Sequence, residues 1–120
     1  MDIYSEIILD YYKNPRNKGQ IDKPDFSATE VNTLCGDKLT IHLTLDKKGE
    51  ISKAMFSGEG CAISQASASM LTEKLIGKTI KQAQELKEKD IIKMLNIPIS
   101  PGRTKCALLC LQTIKKALGK

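Results

Sequence analysis

Alternating apolar and polar residues mark one segment of the chain as a β-strand. Every second residue from 39 to 45 is leucine or isoleucine, and the residues between them are polar. A period of two is typical of a strand with one buried face. A weaker extended segment, 26–34, precedes it, and the turn 47–50 leads into a further strand, 51–56. The pattern therefore predicts three antiparallel strands joined by short connections.

Helical spacing of apolar residues is found on both sides of these strands. Ile3, Ile7 and Tyr11 share one face of a first helix, which is predicted to end before Pro15. The helices predicted after the strands cover residues 62–76, 79–86, 91–95 and 103–118. This order of elements indicates an α+β domain, in which helices pack on one face of a small three-stranded antiparallel sheet.

Capping signals support two of the later helices. Thr79 is followed three residues later by Gln82, a spacing that is typical of a capping box. Asp90 is predicted to be the N-cap of the short helix that ends at Leu95. Both signals are local, so they predict where helices begin without reference to the rest of the chain.

The composition is that of a soluble globular protein, with 41% hydrophobic and 28% charged residues. A length of 120 residues predicts a single domain that spans 1–120. No apolar run is long enough for a signal peptide or a membrane span. We therefore expect a cytoplasmic protein that does not bind a membrane.

The net charge of +5 comes mainly from lysines that are spread along the chain. Only 4% of the residues are aromatic, which leaves few side chains on which nucleic-acid bases could stack. The charge therefore favours an acidic protein partner over a nucleic acid.

Three of the four cysteines stand at joints between predicted elements. Cys35 lies between two strands, Cys61 follows a glycine bend at 58–60, and Cys106 lies in the first turn of the last helix. Cytosolic thiols stay reduced, so metal ligands, reactive thiols or core residues are favoured over disulfides. If the joints meet, the three sulfurs and the carboxylate of Asp37 would form a four-ligand site for zinc or a small iron-sulfur cluster.

The spacing of the cysteines leaves a second interpretation open. No two of them form a C-x-x-C pair, and most cysteines of this kind are small buried side chains. Asp37 would then only shape a turn. Cys110 is interpreted as a packed core thiol, and His42 as a surface residue on the polar face of its strand.

Four motifs in the chain occur together in one known family. They are YYKNPRN at 11–17, CGD at 35–37, GEGCAIS at 58–64 with ASAS at 66–69, and KC at 105–106. In this combination and order the chain resembles the IscU/NifU/SufU family of iron-sulfur cluster assembly proteins, of the NifU N-terminal domain type. The resemblance covers essentially the whole chain and implies a SufE/NifU-like fold.

The resemblance implies a scaffold that assembles a [2Fe-2S] cluster and transfers it, rather than an enzyme in the strict sense. By similarity to the family, the cluster or iron would be held by Cys35, Asp37, Cys61 and Cys106. Cys35 or Cys106 would accept persulfide sulfur from a cysteine desulfurase, and apo-proteins would receive the cluster. Because a carboxylate binds iron less firmly than a fourth thiolate does, Asp37 would keep the site labile.

Two departures from the Isc-type pattern point toward SufU. Lys105 stands where Isc-type scaffolds usually have a histidine, and a protonated lysine is a poor ligand. GEGCAIS is also SufU-like, and SufU-type proteins resemble zinc-dependent sulfurtransferases that accept persulfide sulfur from a desulfurase. The segment 78–103, however, is too short for the insertion that SufU-type proteins typically carry. Zinc bound by the same four residues is therefore the alternative to a cluster.

One partner of Isc-type scaffolds is less well supported by the resemblance. A heat-shock chaperone grips a Leu-Pro-Pro-Val-Lys stretch just before their third cysteine. The corresponding residues here, 99–103, keep one proline and one cation. Chaperone-driven release is therefore in doubt, and the sequence leaves a monomer and a weak dimer both open.

Overall fold

The computed structural model describes residues 3–33, 36–96 and 98–119. Its elements are helix α1 (Ile3–Lys13), strands β1 (Phe26–Asn32), β2 (Asp37–Leu45) and β3 (Ile51–Glu59), helices α2 (Ala62–Leu75), α3 (Ile80–Gln84) and α4 (Glu88–Leu95), a 3-10 turn (Pro101–Arg103) and helix α5 (Thr104–Ala117). The strands form one antiparallel sheet in the order β1-β2-β3. The predicted α+β fold is therefore confirmed.

The buried face of the sheet follows from the alternation in β2. Leu39, Ile41 and Leu43 are at most 1% exposed, and they belong to one hydrophobic core with buried residues of helices α2 and α5. Both helices carry long runs of buried residues, because they lie between the sheet and the other helices. Burial of these apolar side chains is the main stabilising contribution to the fold. It also places the starts of α2 and α5 at the same end of the sheet.

The segment between α1 and β1 covers the other face of the sheet. Gly19 donates its backbone N–H to the Phe56 carbonyl at 2.7 Å, so the segment is hydrogen-bonded to the outer edge of β3. Further along, the Ile21 N–H donates to His42 Nδ1 at 2.9 Å. His42 is therefore half-buried and hydrogen-bonded, so the prediction of a plain surface residue was wrong. The sequence could not indicate this, because the covering segment has no periodic pattern.

Strand β3 is three residues longer than predicted, since it continues through Glu59. Gly58, which was expected to begin a bend, is part of the strand and has a φ of 128°. A Cβ added there would overlap the carbonyl oxygen of Lys38 on β2. Only glycine therefore allows the two strands to stay paired as far as Lys38 and Glu59. The turn into α2 consequently lies next to the beginning of β2.

The capping predictions were half correct. Thr79 Oγ1 accepts from the Gln82 N–H at 3.1 Å and Gln82 Oε1 accepts from the Thr79 N–H at 2.9 Å, so the capping box is confirmed. Asp90 is not an N-cap, because α4 begins at Glu88. Its carboxylate reaches back instead and accepts the N–H of Lys87 at 2.8 Å. Helix α4 thus starts two residues before Asp90, and Lys87 is its N-cap.

The YYKNPRN motif attaches the end of α1 to α2. The Tyr11 hydroxyl donates to Glu73 Oε1 at 2.9 Å, and the Arg16 guanidinium lies 4.0 Å from the centre of the Tyr11 ring. The Arg16 backbone N–H donates to Ser69 Oγ at 2.7 Å. Ser69 is completely buried, so its hydroxyl is the partner that this N–H would otherwise find in water.

Replacing Ser69 by alanine is expected to lower the free energy of unfolding by about 1–3 kcal/mol, because the Arg16 N–H loses its buried acceptor. Ser67 is the matched control, since it lies on the same helix and is also 0% exposed. Its hydroxyl has no hydrogen-bond partner among the residues described, so Ser67→Ala should leave stability unchanged or raise it. Urea denaturation followed by circular dichroism measures both, and equal losses would contradict this account.

Candidate metal centre

Three residues that are far apart in the sequence meet at one end of the sheet. Asp37 is the first residue of β2, Cys61 immediately precedes α2, and Cys106 lies in the first turn of α5. One carboxylate oxygen of Asp37 and the two cysteine sulfurs all lie within 4.8 Å of one another. This is the spacing of atoms that share one metal ion or a small cluster.

Cys61 is held in place by its backbone. It occupies the N-cap position of α2 in an extended conformation, with φ −71° and ψ 169°. Its N–H donates to Asp37 Oδ1 at 3.0 Å, and its carbonyl accepts from the Gln65 N–H at 3.1 Å and from Ser64 Oγ at 3.1 Å. These contacts fix the start of the helix, and the half-buried Cys61 side chain faces the other two residues.

Gly60 is the residue that lets Asp37 approach the helix. A Cβ at this position would overlap Ser64 Oγ and would lie 2.8 Å from Asp37 Oδ1. Any larger residue would therefore displace the carboxylate that accepts the Cys61 N–H. The second glycine of the motif thus serves the site, whereas Gly58 serves the strand pairing.

The second oxygen of Asp37 has no such partner. Asp37 is 1% exposed, and no hydrogen-bond donor to its Oδ2 is found among the residues that the structure describes. A buried carboxylate oxygen without a partner is costly, by several kcal/mol if it is charged. A metal ion bound between this oxygen and the sulfurs would compensate that cost. The donor set, with thiols and a carboxylate, fits zinc or iron.

Cys106 is the most enclosed of the three residues. It is 0% exposed, and Asn32 Nδ2 donates to its sulfur at 3.8 Å. Its burial counts against a direct attack by Cys106 on a persulfide of another protein, one of the two roles predicted for it. Cys35, the other candidate acceptor and predicted ligand, lies outside the described residues.

A permanent positive charge lies beside the sulfurs. Arg103, in the 3-10 turn before α5, has its pKa raised mainly by charge interaction and hydrogen bonding with Cys61, and secondarily by Cys106. Its guanidinium is exposed, as is the ammonium-bearing side chain of Lys105. The open side of the site therefore carries positive charge.

Cys110 is separate from this group. It is completely buried in the core, and its Sγ donates to the Ala107 carbonyl at 3.6 Å. Burial raises the pKa of its thiol from 9.0 to about 12. Cys110 is therefore a neutral core side chain at ordinary pH, as the sequence predicted.

Sequence reasoning did not identify Asn32 as a residue of the site, and it assigned Gly60 only to the bend before Cys61. Both residues contact the site, but neither has a side chain that stands out as a ligand. Gly60 could have been identified from its position next to Cys61. For Asn32 no signal was available, since its contact depends on the pairing of strands and on where α5 packs.

The fold and the site together define a class of protein. The family model described as the NifU-like N terminal domain matches residues 3–120. The chain belongs to this family. No helix in the described part of the chain is long and apolar enough to cross a membrane.

Particular relatives have two kinds of name. The iron-sulfur cluster assembly scaffold protein IscU of Thermotoga maritima is 34% identical, covering 98% of this chain and 94% of its own. The zinc-dependent sulfurtransferase SufU of Bacillus subtilis is 35% identical, covering 98% and 90%. Among solved structures, the SUF-system scaffold candidate FiSufU of Fervidobacterium islandicum is 36% identical with a TM-score of 0.78, covering 97% of this chain and 96% of its own.

Proposed function

We propose that this protein is a scaffold on which a [2Fe-2S] cluster is assembled and from which it is transferred to apo-proteins. The observation that carries the proposal is the convergence of one Asp37 carboxylate oxygen with the sulfurs of Cys61 and Cys106, all within 4.8 Å of one another. In addition, the buried Oδ2 of Asp37 lacks a hydrogen-bond donor among the described residues. The names of the relatives in Thermotoga and Fervidobacterium support the same function. In this role the chain holds its cargo and does not turn over a substrate.

The proposed ligands are three thiolates and one carboxylate, from Cys35, Cys61, Cys106 and Asp37. Asp37 accepts the Cys61 N–H with Oδ1 and keeps Oδ2 available for iron. An oxygen ligand is harder and donates less to iron than sulfur does. A site of this composition can hold a cluster and still release it, as a scaffold must.

Sulfur would reach the site from a cysteine desulfurase. In the proposed step a thiolate of this chain attacks the outer sulfur of the persulfide on that enzyme. A new S–S bond forms as the old one breaks, and the cysteine of the desulfurase leaves as a thiolate, so no oxidant is consumed. The burial of Cys106 favours Cys35 as the attacking thiol.

A zinc-dependent sulfurtransferase is the second candidate function. Lys105 is exposed and cannot coordinate as an ammonium, which leaves Asp37 as the fourth ligand. Three thiolates and one carboxylate also fit tetrahedral zinc, and the Bacillus relative is named for that activity. In that case the chain would bind zinc permanently and pass only sulfur to its acceptor.

Anaerobic reconstitution separates the two functions. The protein is purified without oxygen, supplied with ferrous iron, cysteine and a desulfurase, and measured for visible absorption and zinc content. A scaffold should show charge-transfer bands of a cluster that disappear in Cys35→Ala, Cys61→Ala and Cys106→Ala. Cys110→Ala is the control, because it removes a thiol from the core one helical turn beyond Cys106. Stoichiometric zinc, no colour and stimulation of the desulfurase would favour the sulfurtransferase.

A further inference from the structure

Asn32, the last residue of β1, is buried beside Cys106. We propose that Asn32 is a positioning residue of the metal centre, which holds the Cys106 sulfur in place by donating an amide hydrogen bond to it. The inference rests on the proposed function, because it concerns a sulfur that would bind the metal.

The burial pattern of β1 runs against the polarity of its residues. Asn32 is the one residue of β1 in the buried class, at 8% exposure, whereas the neighbouring Val31 is 53% exposed. An amide buried without partners costs about 1–3 kcal/mol by mutational data, and an exposed valine gives up hydrophobic stabilisation. A register shift of one residue would exchange the two. The reason for this register therefore lies in what the amide contacts.

One contact of the amide is with the site. Asn32 Nδ2 lies 3.8 Å from Cys106 Sγ. Asn32 is paired with Asp37 in the β1–β2 ladder, and residues directly opposite in an antiparallel pair point to the same face. This last pair of the ladder thus directs a donor toward Cys106 and an acceptor toward the N–H of Cys61, which Asp37 accepts at 3.0 Å.

A hydrogen bond to a ligand sulfur changes its direction and its electronic properties. The amide N–H draws electron density from a thiolate, so it lowers the energy of the sulfur lone pairs and orients them. Because Cys106 is 0% exposed, water does not compete for that position. Cys61 is half-buried by comparison. The arrangement makes Cys106 the anchoring ligand, which stays in place while the more open part of the site exchanges its cargo.

Cobalt(II) is a suitable probe, because its thiolate charge-transfer bands report the energy of the sulfur lone pairs without cluster assembly. Metal-free protein is loaded with Co²⁺ for the parent chain, Asn32→Leu and Asn32→Ala. Leucine is close to asparagine in shape but donates no hydrogen bond, and alanine is a second variant with a smaller side chain. Thr29→Val is the control, since it removes a polar contact of the same strand, 2.7 Å to Thr40 Oγ1, that involves no thiol.

Both Asn32 variants should shift the charge-transfer band to longer wavelength and lose roughly 10–100-fold in Co²⁺ affinity against a competing chelator. Thr29→Val should change neither quantity, whatever it costs in stability. If the parent chain shows thiolate bands and both Asn32 variants show them at the same wavelength, the role of Asn32 is overturned but the metal centre is not. A parent chain that shows no such bands overturns the metal centre itself, and the role of Asn32 with it.

Discussion

The Asp37→Ala variant is expected to retain a reconstituted [2Fe-2S] cluster on the order of ten times longer than the parent chain, a change of about 1.4 kcal/mol in the barrier to loss. The physical reason is the carboxylate charge, which lies within 4.8 Å of the sulfurs. Two like charges at that distance repel by about 3 kcal/mol at an effective dielectric constant near 20. Relief of less than half of this repulsion is enough for the expected effect.

Asp37→Asn is the matched control for the backbone contact of this residue. In the parent chain the Cys61 N–H donates to Asp37 Oδ1 at 3.0 Å. The amide oxygen of asparagine can still accept this N–H, but the negative charge is removed. Both variants should therefore slow cluster loss, which is measured as the decay of visible absorption in the presence of a chelator. If either variant loses its cluster faster than the parent chain, the carboxylate stabilises the cargo and the explanation of lability is wrong.

Gly58→Ala is expected to lower the free energy of unfolding by about 3–5 kcal/mol, from backbone strain and steric overlap together. The φ of 128° is unfavourable for any residue with a Cβ, and here that atom would overlap the Lys38 carbonyl oxygen. The end of β3 would have to move away from β2. Because Cys61 lies two residues after Glu59, the last residue of β3, metal binding should weaken along with stability.

Gly49→Ala separates the strain from the overlap. Gly49 also has a positive φ, 82°, but a Cβ there would have no atom within 4 Å. It should therefore cost only about 1 kcal/mol and leave Co²⁺ binding unchanged. Thermal unfolding of the two variants gives the comparison. A Gly58→Ala variant as stable as Gly49→Ala would mean that β2 and β3 do not pair as far as Lys38 and Glu59.

Much of the fold could be predicted from local patterns. The alternation in β2 identified the buried face, and the Thr79/Gln82 capping box located the start of α3. The errors fall where a contact between distant segments extends or covers an element. Strand β3 continues through Gly58 because Lys38 lies against it. His42 is covered by the segment between α1 and β1, whose Ile21 N–H donates to its side chain.

The candidate site divides in a similar way. Its residue types and motifs are visible in the sequence, which predicts Asp37, Cys61 and Cys106 as ligands. The structure brings these three together, while ligation of a metal by them, and by Cys35, stays a prediction. The contact of Asn32 with Cys106 could not be anticipated, because it requires the register of β1 and the packing of α5 at once.

Neighbouring residues and side-chain chemistry are enough to predict which segments are helices and strands, which face of β2 is buried and which side chains are chemically able to bind a metal. Three further properties follow from the packing of distant segments. Cys106 is enclosed while Cys61 is partly open, one oxygen of Asp37 lacks a donor among the described residues, and Asn32 is buried while Val31 is exposed. These outcomes depend on atoms that are distant in the chain, and they are settled only when the sheet and the helices pack against each other.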